Sequence, residues 1–145
     1  MSDGESATAF APGHVTGFFS VARADDPAAS GSRGAGVTLS AGVTATVTPS
    51  DESVVALNGA ATDVESAHGV LDALGVTARV EAATDLPLGA GFGVSGATAL
   101  AAAFAANAVF DCGYSENELV RAAHVAEVEA GTRSEERRVG KECFL

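Results

Sequence analysis

The sequence predicts an α/β fold, a two-layer sandwich in which helices cover one face of a mixed β-sheet. Residues 37–48 alternate apolar and polar side chains, and this period of two is typical of a half-buried strand. Between residues 62 and 74 the apolar positions recur at spacings of three and four, which is typical of an amphipathic helix. Strands come first, followed by strand, helix, strand, helix and helix, and this order favours helices on one face of a sheet.

The first 36 residues predict one short strand, a second apolar piece and a loop. Residues 8–11 form the strand, which ends at Pro12 and Gly13, and the second apolar piece follows. Residues 25–36 combine acidic residues, small residues and glycines. This composition predicts a surface loop.

The next segment predicts a hairpin and then a helix. A turn ends the strand of residues 37–48, and we expect residues 53–57 to return beside it. Thr62, with Glu65 three residues later, predicts a capped helix start, and Gly75 predicts the end of that helix.

The second half of the chain predicts one more strand and two helices. Residues 76–80 form the strand, with Arg79 on its polar face. The alanine-rich residues 97–110 are too short to cross a membrane and predict a buried helix. Ser115 and Glu118 have the spacing of a capping box, which predicts the start of the last helix.

Residues 87–98 join this last strand to the buried helix and contain four glycines and a serine. Glycine adopts positive φ in tight loops and has no Cβ to keep a bulky anion from the backbone. The helix that follows would direct its first unpaired N–H groups, with their partial positive charge, towards the same loop. The stretch therefore predicts a phosphate-binding site.

A dinucleotide-binding loop, a Walker A loop and a turn without a ligand are the alternatives for this stretch. Gly91, Gly93 and Gly96 match the dinucleotide-binding pattern G-x-G-x-x-G, but that pattern requires an acidic residue on the next strand, and the candidate, Asp111, falls at the end of the helix. A Walker A loop is excluded because no lysine occurs before Lys141. A glycine-rich turn without a ligand stays open.

Residues 87–97 resemble the second motif of the GHMP kinases, P-x-x-x-G-L-G-S-S-A, with departures at Phe92, Val94 and Gly96. This superfamily includes galactokinase, homoserine kinase and mevalonate kinase. The resemblance to its archaeal pantoate-phosphorylating branch also involves three further stretches, residues 11–19, 31–36 and 124–132.

The resemblance implies an N-terminal ATP-binding domain related to the second domain of ribosomal protein S5. It also implies transfer of the γ-phosphate of ATP to the 4-hydroxyl of pantoate in archaeal coenzyme A biosynthesis. ATP and Mg²⁺ are the implied cofactors, and a homodimer is compatible with the full-length protein. A homoserine or mevalonate type of GHMP kinase, or a non-catalytic nucleotide-binding domain, are the alternatives.

Site residues follow from the matched motifs. Ser95 and Glu127 are implied as the catalytic and Mg²⁺-binding pair, and His124, Arg33 and His14 as contacts to pantoate. A helix N-cap is an equal role for Ser95 from the sequence alone, and Glu129 is a weaker alternative to Glu127. The implied ATP-binding residues are Pro87, Gly89, Ala90, Gly91, Phe92, Gly93, Val94, Ser95, Gly96 and Ala97.

Composition limits the partners and the environment. A net charge of −11 argues against binding to nucleic acid or to an anionic membrane. The near absence of lysine on an acidic chain predicts a salt-adapted, halophilic protein, with an ordinary acidic protein as the alternative. Cys112 and Cys143 have no metal-ligand spacing, and no signal peptide or membrane span is found. We therefore expect a reducing cytoplasm.

The composition changes at Arg133, where a dense run of charges begins. This run resembles the in-frame translation of a sequencing-library adapter. We expect residues 1–132 to be an incomplete GHMP kinase N-terminal domain and residues 133–145 a non-native or disordered tail. The catalytic aspartate of the family, expected in a Gly-Leu-Gly-Asp stretch after Thr132, is absent, and Glu136 is assigned no role. The chain is therefore expected to be an inactive fragment.

Overall fold

A computed structural model describes residues 5–22, 24–29 and 31–137. Within these residues the chain forms five strands and three helices. The strands are β1 (Ala7–Ala22), β2 (Gly31–Pro49), β3 (Val54–Leu57), β4 (Ala60–Ala61) and β5 (Ala78–Thr84). The helices are α1 (Glu65–Leu74), α2 (Val94–Val109) and α3 (Glu116–Arg137).

The strands form one mixed sheet in the order β1-β2-β5-β3-β4. Pairs are antiparallel except for β3 and β5, which run parallel. The predicted hairpin is wrong, because β5 and not residues 53–57 lies beside β2. The connection after β2 crosses the start of β5, where Ser50 N–H donates to Thr77 O at 3.3 Å and Ala78 N–H donates to Ser53 Oγ at 3.3 Å. The chain thus passes over one strand position before β3 begins.

The first strand is longer than predicted. Instead of ending at Pro12 and Gly13, β1 continues to Ala22 with a shift of register between Pro12 and His14. Proline has no N–H for the ladder, so the strand is irregular there without stopping. The predicted loop of residues 25–36 is wrong in its second half, because residues 31–36 pair with β1 as part of β2.

One face of the sheet carries the core. Along β5, Ala78, Val80 and Ala82 are buried while the residues between them are exposed. α2 packs against β1 and β2, and α1 packs against α2. α3 closes a second apolar cluster with α1 and α2, formed by Val70, Ala99, Ala103, Leu119, Ala123 and Ala126. The predicted two-layer arrangement and the buried alanine-rich helix are both confirmed.

For α1, the prediction of the C-terminal end is confirmed and that of the N-terminal end is wrong. Gly75 ends the helix in the left-handed conformation at φ 71°, as predicted. The predicted Thr62 cap is wrong, because the N-cap is Val64 and the Thr62 hydroxyl donates to Ala60 O at 2.9 Å.

The capping box of α3 is confirmed. Ser115 N–H donates to Glu118 Oε1 at 3.0 Å, and Glu118 N–H donates to Ser115 Oγ at 3.2 Å. α3 continues past the predicted domain boundary at Thr132 and reaches Arg137. Residues 138–145 lie outside the described residues, so the interpretation of the tail stays a prediction. In the described part of the chain, none of the helices has the length and apolar character that a membrane crossing requires.

Candidate functional site

The loop of residues 85–93 joins β5 to α2 and is shaped by three glycines. Gly89, Gly91 and Gly93 have φ values of 72°, 88° and 73°, a region where other residues are strained. Among the described residues, the backbone N–H groups from Gly91 to Gly96 donate no hydrogen bond to the protein. The loop is therefore curved, with six adjacent donors available.

The end of the loop is fixed to β1. His14 N–H donates to Phe92 O at 3.0 Å. A Cβ on Gly93 would lie 2.5 Å from His14 Nε2, and a Cβ on Gly13 would lie 2.9 Å from Phe92 O. Gly13 is thus required for the close approach of the loop to the strand, and a side chain at Gly93 would displace the His14 ring. This contact aims the exit of the loop into the first turn of α2.

Ser95 and Glu127 meet at the start of α2. The helix begins at Val94, three residues earlier than predicted, so Ser95 lies in its first turn. Ser95 Oγ donates to Glu127 Oε2 at 3.0 Å. A Cβ on Gly96 would lie 3.0 Å from Glu127 Oε1, so the glycine leaves space for this carboxylate. The N-cap is Gly93, and the alternative of Ser95 as N-cap is wrong.

Ser66 is a residue of this site that sequence reasoning missed. It lies on α1 with 1% of its surface exposed. Its Oγ is 3.1 Å from Ser95 Oγ and 3.4 Å from Ser95 O. The available signal was a serine next to the apolar positions Ala67 and Val70 on the buried face of a helix, where a polar side chain requires a partner.

An open cavity of about 590 Å³ lies beside Ser95 and Glu127. Its lining combines apolar side chains, carboxylates and the hydroxyl side chains of Thr62, Ser66, Ser95 and Thr98. The apolar side chains are Leu57, Val64, Leu88 and Val94, and the carboxylates are Asp63, Glu65 and Glu127. Among the described residues that line it, none is lysine or arginine. The backbone N–H groups and the N-terminus of α2 thus supply the positive potential there.

The pair suits Mg²⁺ better than a transition metal. Mg²⁺ in phosphotransfer sites is held by one or two carboxylates together with substrate phosphates and waters. Glu127 and the hydroxyl of Ser95 match this donor set. The described residues contain no cluster of three or more His, Cys, Asp or Glu side chains. Burial, with a smaller effect from Asp111, raises the pKa of the Cys112 thiol, which disfavours the metal-binding thiolate.

The remaining predicted residues are dispersed. His124 is exposed on α3, one turn before Glu127. Arg33 is not in a loop as expected but in β2 opposite Ser20, near the turn between β1 and β2. Glu129 lines the grooves between α1 and α3 and not the cavity.

The dinucleotide alternative does not fit this geometry. Asp111 follows α2 at the end opposite to the glycine loop. A helix of 16 residues is about 24 Å long, so Asp111 cannot reach a ligand held at the loop.

Comparisons with known proteins identify the family. Residues 55–135, more than half of the chain, match the GHMP kinases N terminal domain. The chain belongs to the GHMP kinase family. This confirms the resemblance found in the sequence, and the mixed sheet with its helices is the fold of a GHMP kinase N-terminal domain.

Pantoate kinases are among the relatives of this GHMP kinase domain. The chain is 37% identical over 131 residues to pantoate kinase from Methanospirillum hungatei, covering 84% of the chain and 45% of the relative. It is 32% identical over 127 residues to pantoate kinase from Methanocaldococcus jannaschii, covering 85% and 46%. A solved phosphotransferase related to the CoA biosynthesis pathway has a TM-score of 0.77 and 31% identity, covering 88% of the chain and 47% of that structure. The chain thus spans about half the length of the relatives it matches.

Proposed function

We propose that the protein to which this domain belongs transfers the γ-phosphate of ATP to the 4-hydroxyl of pantoate. The similarity to two pantoate kinases and to a phosphotransferase related to CoA biosynthesis supports the choice of substrate. The observation that carries the proposal is the row of N–H groups from Gly91 to Gly96, which have no acceptor among the described residues, beside the hydrogen-bonded Ser95 and Glu127. N–H groups that can donate to an anion therefore lie beside a carboxylate at the N-terminus of α2.

In this proposal the loop binds the phosphates of ATP and the cavity holds the adenine base. The N–H groups from Gly91 to Gly96 donate to the phosphate oxygens, and the α2 N-terminus favours their negative charge. The apolar side chains of Leu57, Val64, Leu88 and Val94 offer contact area to the adenine base. A volume of about 590 Å³ falls within the usual range for ligand pockets.

Ser95 and Glu127 would hold Mg²⁺. When bound, Mg²⁺ supplies neutralisation of the phosphate charge during transfer. Three carboxylates and no cationic side chain line the cavity among the described residues, so a triphosphate alone would be repelled. We therefore expect nucleotide binding to depend strongly on divalent cation.

The pantoate contacts stay proposals of different strength. His14 lies against Gly93 at the end of the loop, and His124 lies one turn from Glu127, so both flank the proposed phosphate site. Arg33 lies along β2, five residues from the position paired with His14, which corresponds to about 17 Å of strand. Its contact with pantoate has less support from the structure.

The environment of the protein is proposed from its composition. The acidic, lysine-poor chain supports a salt-adapted protein, and its cysteine usage supports a reducing cytoplasm. The family resemblance supports an archaeal origin. A homodimer is proposed only for the full-length protein.

Binding and turnover can be separated experimentally. We expect the 145-residue chain to bind a non-hydrolysable ATP analogue with Mg²⁺, and to produce no phosphopantoate, because the aspartate expected by family resemblance is absent. The protein encoded by the gene extended past codon 132 should phosphorylate pantoate in preference to homoserine and mevalonate. Glu127→Gln in the chain serves as the control and should weaken binding. Absence of nucleotide binding, turnover by the 145-residue chain or preference for another alcohol would each contradict part of the proposal.

A further inference from the structure

A buried serine at the edge of the cavity contacts Ser95, one of the two proposed metal-binding residues. Ser66 is 1% exposed on the face of α1 that packs against α2. Removing a hydroxyl from water is unfavourable unless it finds a hydrogen-bond partner in the protein. The partner in this case is Ser95, through both its hydroxyl and its carbonyl oxygen.

The direction of the hydrogen bonds follows from counting protons. A serine hydroxyl has one proton and two lone pairs, and an ionised carboxylate only accepts. Ser95 Oγ donates its proton to Glu127 Oε2 at 3.0 Å. With the Ser95 proton used in this way, Ser66 donates in the contact of 3.1 Å between the two hydroxyls, and it shares its one proton with Ser95 O at 3.4 Å.

This chain of hydrogen bonds determines the orientation of an exposed side chain. Ser95 is exposed, and without partners its χ1 angle would sample several staggered positions. With one lone pair occupied by Ser66 and its proton held by Glu127, its second lone pair remains for a metal ion. Hydrogen bonds in series also polarise one another, which makes Ser95 Oγ a better ligand.

We propose that Ser66 is a positioning residue that orients the Ser95 hydroxyl and thereby sets the affinity of the site for Mg²⁺. This inference rests on the proposed function, since it assumes that Ser95 and Glu127 hold the metal. Ser66 is proposed to act through Ser95, whose hydroxyl it contacts at 3.1 Å. Partners behind metal ligands typically contribute about 10–100-fold to metal affinity.

The test is a titration of Mg²⁺ into the 145-residue chain with a fluorescent ATP analogue, read by anisotropy. Ser66→Ala should raise the Mg²⁺ midpoint about 10–100-fold, while adenosine, which has no phosphates, should bind as it does to the wild type. Ser66→Thr retains the hydroxyl and should restore the midpoint to within about threefold, allowing for its extra methyl group. Ser53→Ala is the matched control, because it removes a half-buried serine hydroxyl at the far end of β3 from the cavity.

A double substitution separates positioning from a general loss of structure. In the Ser95→Ala background, Ser66→Ala should produce no further shift of the midpoint, because its route to the metal is already absent. A wild-type midpoint for Ser66→Ala, an equal loss of adenosine binding, or additive effects in the double variant would overturn the inference. If the wild-type chain itself binds no Mg²⁺ and nucleotide, the proposed function fails, and the inference fails with it.

Discussion

At the scale of single residues, glycines decide whether the loop reaches its observed shape. Gly93 has both a left-handed φ and a neighbour, His14, in the space that a Cβ would occupy. Gly91 has the same backbone requirement but open space around it. The two positions therefore separate backbone strain from steric overlap.

We expect Gly93→Ala to lower the free energy of unfolding by about 2–4 kcal/mol, since strain and overpacking add. Gly91→Ala should lower it by only about 1–2 kcal/mol. Urea denaturation of both variants measures the difference. Equal losses would show that the contact between His14 and the loop is not formed as described.

Substitution of Gly96 by alanine should affect the stability of the fold and the binding of nucleotide in opposite directions. It lies in the first turn of α2 without an unusual φ, so alanine there should stabilise the helix by about 0.5–1 kcal/mol. The added Cβ would lie 3.0 Å from Glu127 Oε1 and displace this carboxylate. Gly96→Ala should therefore melt at the same or a higher temperature, yet bind the ATP analogue with Mg²⁺ about tenfold more weakly. Unchanged binding would contradict the role of Glu127.

At the scale of elements, the capping box predicts how the stability of α3 depends on pH. The backbone N–H of Ser115, and secondly its hydroxyl, lower the pKa of Glu118 below the ordinary value of 4.5. A lowered pKa in the folded state means that the ionised carboxylate contributes stability above pH 4.5. That contribution is lost as the pH falls through the lower folded-state value.

Glu118→Gln should thus be less stable than the wild type at pH 7, and the difference should shrink as the pH falls below 4.5. Urea midpoints across this range measure it. Glu116→Gln is the control, because it removes one charge from the same helical turn without a bond to Ser115. Identical pH curves for the two variants would contradict the capping interaction.

The sequence predicted the strands and helices more reliably than it predicted which strands lie next to one another in the sheet. Period two indicated β2 and β5, the spacing of three and four indicated α1, alanine-rich composition indicated α2 and the capping box indicated α3. Each of these signals is local to one segment. The pairing of β3 depends on which strand lies next to β2, and the contacts of Ser50 and Ser53 with the start of β5 are not visible as a local pattern. The site showed the same limit. The motifs named Ser95 and Glu127, which the structure places in contact, whereas Ser66 belongs to no motif and reaches Ser95 only through its position in the fold.

At the scale of the whole molecule, the net negative charge lowers the stability of the fold. A net charge of −11 on 145 residues gives mutual repulsion that favours the unfolded chain. The Debye length falls from about 10 Å at 0.1 M salt to about 3 Å at 1 M, so added salt screens this repulsion. One ion pair among the described residues, between Arg79 and Glu81 at 2.8 Å, is exposed and contributes little.

We therefore expect the midpoint of thermal unfolding to rise steadily as KCl is increased from 0.1 M to 1 M and above. Differential scanning fluorimetry measures the midpoint, and sucrose, which leaves ionic strength unchanged, is the control solute. A midpoint that is flat or falls in KCl would contradict salt adaptation.

The central claim is that the backbone amides from Gly91 to Gly96 bind the phosphates of ATP. Amide ¹H–¹⁵N spectra of the chain, recorded with and without the ATP analogue and Mg²⁺, test it directly. We expect the largest shifts on these six amides, and we expect adenosine to fail to reproduce them. Saturation by nucleotide without movement of the amide signals from Gly91 to Gly96 would contradict it.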